Sequence, residues 1–103
     1  MSGASRRKGV SGEREVAAIY EAAFGPVVRG LEGAGDHLIC FPDGVTIFSE
    51  TKRYGQRMKL PEWMRQCLNE APPGTYPALH HRGDNQPWLV TMPLSDFVRL
   101  VGS

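Results

Sequence analysis

The sequence predicts a single α/β domain in which helices flank a mixed β-sheet. A chain of 103 residues can bury one hydrophobic core but not two. Two segments carry apolar residues at helical spacing, and apolar runs of strand length lie between and after them. Two of these runs flank Pro42-Asp43-Gly44, and Asp-Gly between apolar runs is the strongest short signal for a β-hairpin.

The first predicted element is an amphipathic helix over residues 11–24, with Ser11 as N-cap and Gly25-Pro26 as the stop. Its predicted apolar side consists of Val16, Ala17, Ile19, Tyr20, Ala23 and Phe24. Glu13 falls within this stripe, where a carboxylate costs free energy unless another group compensates it. Either Glu13 is functional, or the dipole of the first helical turn favours its charge. The side predicted to face solvent holds Arg14, Glu15, Ala18, Glu21 and Ala22.

Three strands are predicted to follow this helix. The first is a short strand over residues 26–29, and a glycine-rich loop over residues 30–35 then leads to Asp36. Residues 37–41 and 45–53 are expected to form the two strands of the hairpin.

The hairpin is expected to bring charged side chains together at its open end. Residue 43 is the midpoint between Asp36 and Glu50, so folding the chain back there places these two carboxylates side by side. Strand side chains alternate between faces, so Glu50 and Lys52 point one way and Thr51 the other. Mg²⁺ typically takes one or two carboxylates together with phosphate oxygens, and a lysine can stabilise developing charge. The alternative is an exposed carboxylate beside an ordinary surface strand.

A second helix, two strands and a third helix complete the predicted fold. Pro61 suits the first turn of the second helix, and Pro72-Pro73-Gly74 ends it. The apolar face of this helix consists of Trp63, Met64, Cys67, Leu68 and Ala71. The remaining elements are predicted over residues 76–82, over residues 88–92 and from Leu94 or Ser95 onward. The predicted order is α-β-β-β-α-β-β-α.

The net charge of +1 does not by itself indicate a nucleic-acid-binding protein. The basic residues are nevertheless clustered, as Arg6, Arg7 and Lys8, and as Lys52, Arg53, Arg57 and Lys59. Such clusters either contact phosphates or form a solvated face. We expect residues 1–9 to form a basic, flexible tail and residues 10–103 to form the folded domain.

Cellular location is constrained by what the sequence lacks. Cys40 and Cys67 do not form a disulfide framework and are expected to be small buried side chains. No apolar run approaches the roughly 18 residues of a membrane span, and the start of the chain lacks the apolar core of a signal peptide. We therefore expect a cytoplasmic protein with no membrane partner.

Five short motifs along the chain share one resemblance. They are Arg7-Lys8-Gly9, Glu13, Gly35-Asp36, Glu50-Thr51-Lys52 and Trp63-x-x-Gln66. Their order resembles the PD-(D/E)XK nuclease superfamily and, more narrowly, the small archaeal-type Holliday junction resolvases, which are also found in some phages. The resemblance implies a restriction-endonuclease-like fold and a homodimeric, Mg²⁺-dependent endonuclease that cuts four-way DNA junctions. It also implies that Mn²⁺ substitutes for Mg²⁺.

The resemblance assigns roles to individual residues. It implies that Asp36 and Glu50 are metal ligands, that Lys52 is the catalytic lysine, and that Glu13 and Gln66 are the helix carboxylate and helix glutamine of the catalytic site. The basic tail is similar to a segment that reaches along DNA arms. The side chains that we expect to contact DNA are Arg6, Arg7, Lys8, Arg53, Arg57, Lys59 and Arg82.

The sequence departs from the family pattern in two places. Gly35 precedes Asp36 where the family has proline, and the literal Pro-Asp pair is Pro42-Asp43, seven residues before Glu50. We prefer Asp36 as the ligand, because Asp43 at a hairpin tip would point away from the strand ends. The loop over residues 30–35 also contains no serine, although related resolvases carry a functional serine there.

Two alternative functions stay open at this point: a related nuclease that cuts other branched or linear DNA, and a catalytically inactive DNA-binding protein. A zinc site at His80 and His81 is disfavoured, because adjacent strand residues point to opposite faces.

Paired incision of a junction requires a two-fold dimer. Candidate interface residues are Met58, Leu60, Leu94 and Phe97.

Overall fold

Within residues 3–30 and 37–102, the part of the chain that the computed structural model describes, five strands form one mixed sheet and three helices cover it. Side chains are described from residue 12 onward. The elements are α1 (Gly3–Phe24), β1 (Val28–Gly30), β2 (His37–Cys40), β3 (Thr46–Tyr54), α2 (Leu60–Glu70), β4 (Tyr76–Gly83), β5 (Leu89–Thr91) and α3 (Leu94–Gly102). The predicted α/β class and the predicted order of elements are confirmed.

The strands lie in the sheet in the same order as in the chain, from β1 to β5. All neighbouring strands are antiparallel except β3 and β4, which are parallel. A parallel pair requires a crossover connection, and α2 provides it. The carboxyl ends of β3 and β4 therefore lie at the same edge of the sheet, where Glu50 and Lys52 approach the end of β3.

The β2–β3 hairpin has the predicted register. His37 pairs with Ser49 and Cys40 with Thr46, so the described part of the hairpin is symmetric about residue 43. The turn is closed by a hydrogen bond of 2.9 Å from the Phe41 N–H to the Val45 carbonyl. Gly44 has φ +94°, a left-handed conformation that glycine adopts without a steric penalty.

The two faces of the sheet carry different helices. A methyl group added at Gly12 of α1 would lie 3.1 Å from Arg53 and 3.2 Å from Thr51, so glycine allows α1 to approach β3 closely. On this face the hydrophobic core is formed by Val27, Ile39, Ile47 and Ala78. Also on this face, the Arg99 guanidinium of α3 lies 5.3 Å from the centre of the Tyr76 ring. The opposite face is covered by α2, whose Trp63 ring lies 5.6 Å from that of Tyr54.

The first helix differs from its prediction in extent and in rotation. It begins at Gly3 rather than at Ser11, so residues 3–9, which we predicted to be a flexible tail, have helical backbone. A glycine inside a helix costs only about 1 kcal/mol, so neither Gly9 nor Gly12 ends α1. Ile19 and Phe24, predicted to be on the buried side, are 53% and 57% exposed. No helix within the described ranges is long and apolar enough to cross a membrane.

Candidate active site

Glu50 and Lys52 form an ion pair near the carboxyl end of β3. The Glu50 residue is only 5% exposed, and its Oε2 lies 3.8 Å from the Nζ of Lys52, whose side chain is 28% exposed. The two residues share one face of the strand, and Thr51 lies against α1 on the other face, as predicted. A buried carboxylate requires compensation by charge or hydrogen bonds. Lys52 supplies part of that charge and extends toward solvent.

The other predicted metal ligand, Asp36, lies outside the described residues. The last described pair of the hairpin, His37 with Ser49, has the register on which that prediction relies. Among the described residues, no group of three His, Cys, Asp or Glu side chains is placed to hold a metal ion. Glu50 nevertheless offers the hard oxygen donor that Mg²⁺ prefers. The Mg²⁺ site therefore stays a prediction.

Asp43 takes a structural position at the hairpin tip. Its Oδ1 accepts a hydrogen bond of 3.0 Å from the Val45 N–H, and the residue is exposed. The turn lies at the opposite end of β3 from Lys52. This location agrees with our preference for Asp36 over Asp43 as a metal ligand.

The structure places the two other predicted catalytic residues, Glu13 and Gln66, on helices that cover opposite faces of the sheet. Glu13 is half-buried on α1, over the face that carries Thr51. Gln66 is exposed on α2, and its Nε2 donates to Glu70 Oε2 at 3.5 Å. The catalytic roles of Glu13 and Gln66 stay predictions.

Glu15 is a candidate functional residue that the sequence did not indicate. We predicted that it faces solvent, but its side chain is half-buried and turned toward the sheet. Its Oε1 accepts hydrogen bonds from Arg82 Nη1 at 2.7 Å and from Trp88 Nε1 at 2.9 Å, and its Oε2 accepts one from Arg53 Nη1 at 3.3 Å. The cause is the rotation of α1, which turns Gly12 rather than Glu13 toward β3. The signal that could have revealed this rotation is the four-residue spacing of Gly12, Val16 and Tyr20.

Arg53 and Arg82 are register partners in the parallel pair of β3 and β4, so their side chains leave the same face next to each other. Both were predicted to contact DNA, and both are ion-paired with Glu15. Burial raises the pKa of Glu15, but the Trp88 hydrogen bond and the two arginine charges outweigh this effect and hold the pKa below its ordinary value. Glu15 is therefore ionised at neutral pH.

His80 on β4 makes one hydrogen bond to β3 and one to α1. Its Nδ1 lies 2.9 Å from Ser49 Oγ, and its Nε2 lies 2.7 Å from the Tyr20 hydroxyl. Burial lowers the pKa of His80 to about 4, and a hydrogen bond with the Glu50 backbone opposes this shift only in part. His81 lies on the other face, where its Nε2 is 2.8 Å from Thr91 Oγ1. The two histidines therefore have separate partners, as strand alternation predicts.

The other predicted DNA contacts are less constrained. Arg57 and Lys59 are exposed in the connection between β3 and α2. Arg6, Arg7 and Lys8 belong to the first turns of α1, and their side chains lie outside the described part.

No family model matches the chain, and no curated protein sequence or solved structure is significantly similar to it.

Proposed function

We propose that the chain is a metal-dependent DNA endonuclease that resolves four-way junctions. The observation that carries this proposal is the buried Glu50 carboxylate, 3.8 Å from the partly exposed Lys52 ammonium at the end of a central strand. The spacing of the two residues and their place in the order of elements agree with the resemblance described above. A restriction-endonuclease-like arrangement is part of the same proposal.

Asp36 and Glu50 are the residues that would hold Mg²⁺, with Mn²⁺ as a substitute. When bound, such an ion polarises the scissile phosphate and lowers the pKa of a coordinated water. Lys52 stabilises negative charge that develops on the phosphate oxygens. Burial of Glu50 strengthens these electrostatic interactions, because charges interact more strongly where water is excluded.

Resolution of a junction requires two incisions in opposing strands, and one 103-residue chain has a single Glu50–Lys52 pair. A two-fold dimer supplies the second. Its interface is best placed on α3, whose exposed apolar side chains are Leu94, Phe97, Val98 and Val101. Leu100 of the same helix borders an apolar groove of about 570 Å³ that Tyr20 and Phe24 also line. Of the remaining candidates, Met58 is exposed and Leu60 is half-buried.

The test is a cleavage assay with three labelled substrates, which are a four-way junction, a matched duplex and a matched single strand. Each is incubated with Mg²⁺, with Mn²⁺ and with a chelator. We expect symmetric paired cuts in the junction that depend on the metal, and a protein mass near twice the 11.4 kDa of the chain.

Other outcomes distinguish the alternatives. Equal cutting of all three substrates by a monomer would support a broader nuclease. Tight binding to the junction without cleavage in either metal would support an inactive DNA-binding protein. No binding to any of the substrates would overturn the proposal entirely.

A further inference from the structure

Three hydrogen-bond donors from three parts of the sheet converge beside the proposed active site. They are the guanidinium of Arg53 on β3, the guanidinium of Arg82 on β4, and the indole of Trp88, which immediately precedes β5. We call Arg53, Arg82, Trp88 and Glu15 the arginine cluster. Arg53 directly follows Lys52 in the chain but leaves the opposite face of the strand. The cluster and the Glu50–Lys52 pair therefore lie at the same end of β3, on opposite faces of the sheet.

The charges of the arginine cluster do not balance. Arg53 and Arg82 carry two positive charges, and Glu15 is the carboxylate to which both are paired. Counting only the side chains that define the cluster, one positive charge therefore remains. A group of donors with this surplus can accept a second anion at low cost.

The cluster is also open to solvent and its arginines are held in place. The exposed fractions of the side chains are 21% for Arg53, 28% for Arg82 and 33% for Glu15. Each arginine uses one Nη1 for Glu15, whereas a guanidinium has five N–H donors. Glu15 thus orients two neighbouring guanidinium groups and leaves some of their donors available. Planar guanidinium groups in such an arrangement suit the oxygens of a phosphate.

We infer that the arginine cluster is a binding site for one backbone phosphate of DNA, with Glu15 as the fixed anion that positions Arg53 and Arg82 and limits their net charge. This inference rests on the proposed function, since it takes DNA as the substrate. A phosphodiester carries one negative charge, which neutralises the cluster. The site contributes affinity and orientation without reading sequence, as phosphate contacts do.

The test measures how binding to a labelled, uncut four-way junction depends on salt, with a chelator present to prevent cleavage. Neutralisation of one phosphate contributes roughly 0.9 to the slope of log affinity against log salt. Arg82→Gln removes the surplus charge, so we expect the slope to fall by about 0.9 and the affinity to fall. Arg53→Gln is expected to have the same effect. Arg29→Gln is the matched control, because Arg29 is exposed on the edge strand β1.

A charge-restoring double variant separates a phosphate site from a purely structural ion pair. Glu15→Gln together with Arg82→Gln returns the surplus charge, so we expect much of the lost slope to return. Glu15→Gln alone is expected to strengthen binding, while Glu21→Gln, an exposed position on the same helix, is not. Urea denaturation of each variant reports folding independently.

The outcomes are distinct for the two proposals. If all folded variants bind the junction like the parent, this inference is wrong while the proposed function stands. If the double variant has the same salt slope and affinity for the junction as Arg82→Gln alone, the charge argument is wrong. If the parent binds no DNA, both proposals are overturned.

Discussion

The end of β3 has two charged regions on opposite faces of the sheet, and they differ in how deeply their carboxylates are buried and in which cations they face. The Glu50 side chain is 7% exposed, and its Oε2 lies 3.8 Å from the Nζ of Lys52, beyond hydrogen-bond distance. Glu15 is 33% exposed and accepts three hydrogen bonds from two arginines and an indole. A buried carboxylate beside a partly exposed ammonium suits the proposed chemistry with a metal cation. A well-bonded carboxylate among surplus positive charge suits recognition of an anion.

In the proposed function, this difference would separate chemistry from binding within a few residues of one strand. Alternation along β3 sends Glu50 and Lys52 to the α2 side and Thr51 and Arg53 to the α1 side. Substitutions of Glu50 and Lys52 are therefore expected to change cleavage, and substitutions in the arginine cluster to change affinity and stability.

The largest effects are expected for substitutions of the proposed catalytic residues, which include Glu50→Gln and Lys52→Ala. Each variant should lose cleavage of the junction by on the order of a hundredfold or more, as the loss of a charge-stabilising group does in other enzymes. Binding to the junction with a chelator present should change little. Single-turnover cleavage is the measurement, and Glu62→Gln, an exposed carboxylate in the first turn of α2, is the control. A variant that cuts at the parental rate would remove the distinction between the two faces.

The second effect concerns pH and belongs to the α1 face. Burial lowers the pKa of His80 to about 4, below the roughly 6.5 of an unfolded histidine. Between these values the unfolded chain binds a proton that the folded chain does not, so stability is complete above about pH 6.5 and falls toward pH 4. The slope from this residue is at most ~1.4 kcal/mol per pH unit, or about 2 kcal/mol down to pH 5.

Urea denaturation at about pH 7 and about pH 5 tests this contribution. We expect His80→Gln to be less stable than the parent near neutral pH, where it loses the hydrogen bonds to Ser49 and Tyr20. The difference should shrink as the pH falls, because the variant has no proton to take up at this position. Parallel pH curves for the two proteins would show that His80 does not carry the dependence.

The same comparison explains what the sequence predicted well. The order of elements and the hairpin register follow from local signals, such as Pro42-Asp43-Gly44 and Pro72-Pro73-Gly74, which act within a few residues. The shared face of Glu50 and Lys52 follows from strand alternation alone. These features required no knowledge of how distant segments meet.

The arginine cluster could not be predicted in this way. Arg53 and Arg82 become neighbours only through the parallel register, which α2 connects over a long stretch of chain. Glu15 joins them because Gly12 lets α1 approach β3, and that approach sets the rotation of the helix. Helical periodicity predicted that Glu15 faces solvent, because it considers only where apolar side chains lie. It takes no account of a glycine such as Gly12, which lets a helix approach a sheet closely.

A smaller effect, on stability, is expected from Glu15→Ala. Removing the acceptor leaves the Arg82 and Trp88 donors without it in a partly buried position, but solvent screens part of the loss. We expect the free energy of unfolding to fall by about 1 kcal/mol near neutral pH. Because the pKa of Glu15 is lowered in the fold, the difference in stability should be complete above the ordinary pKa of a glutamate and should be lost as the pH falls through the lowered pKa. Glu21→Ala is the matched control, and equal stability of both variants would contradict a tight cluster.

The smallest effect is expected for Asp43→Asn, which tests a carboxylate that belongs to neither face. Asn-Gly makes the same type of hairpin turn as Asp-Gly, and an asparagine carbonyl can accept the Val45 N–H that Asp43 now accepts. Cleavage and stability should therefore stay close to those of the parent. Asp36→Asn is the comparison, and it should abolish metal-dependent cleavage while sparing the fold. An inactive Asp43→Asn protein beside an active Asp36→Asn protein would reverse the assignment and move the predicted metal site away from Glu50.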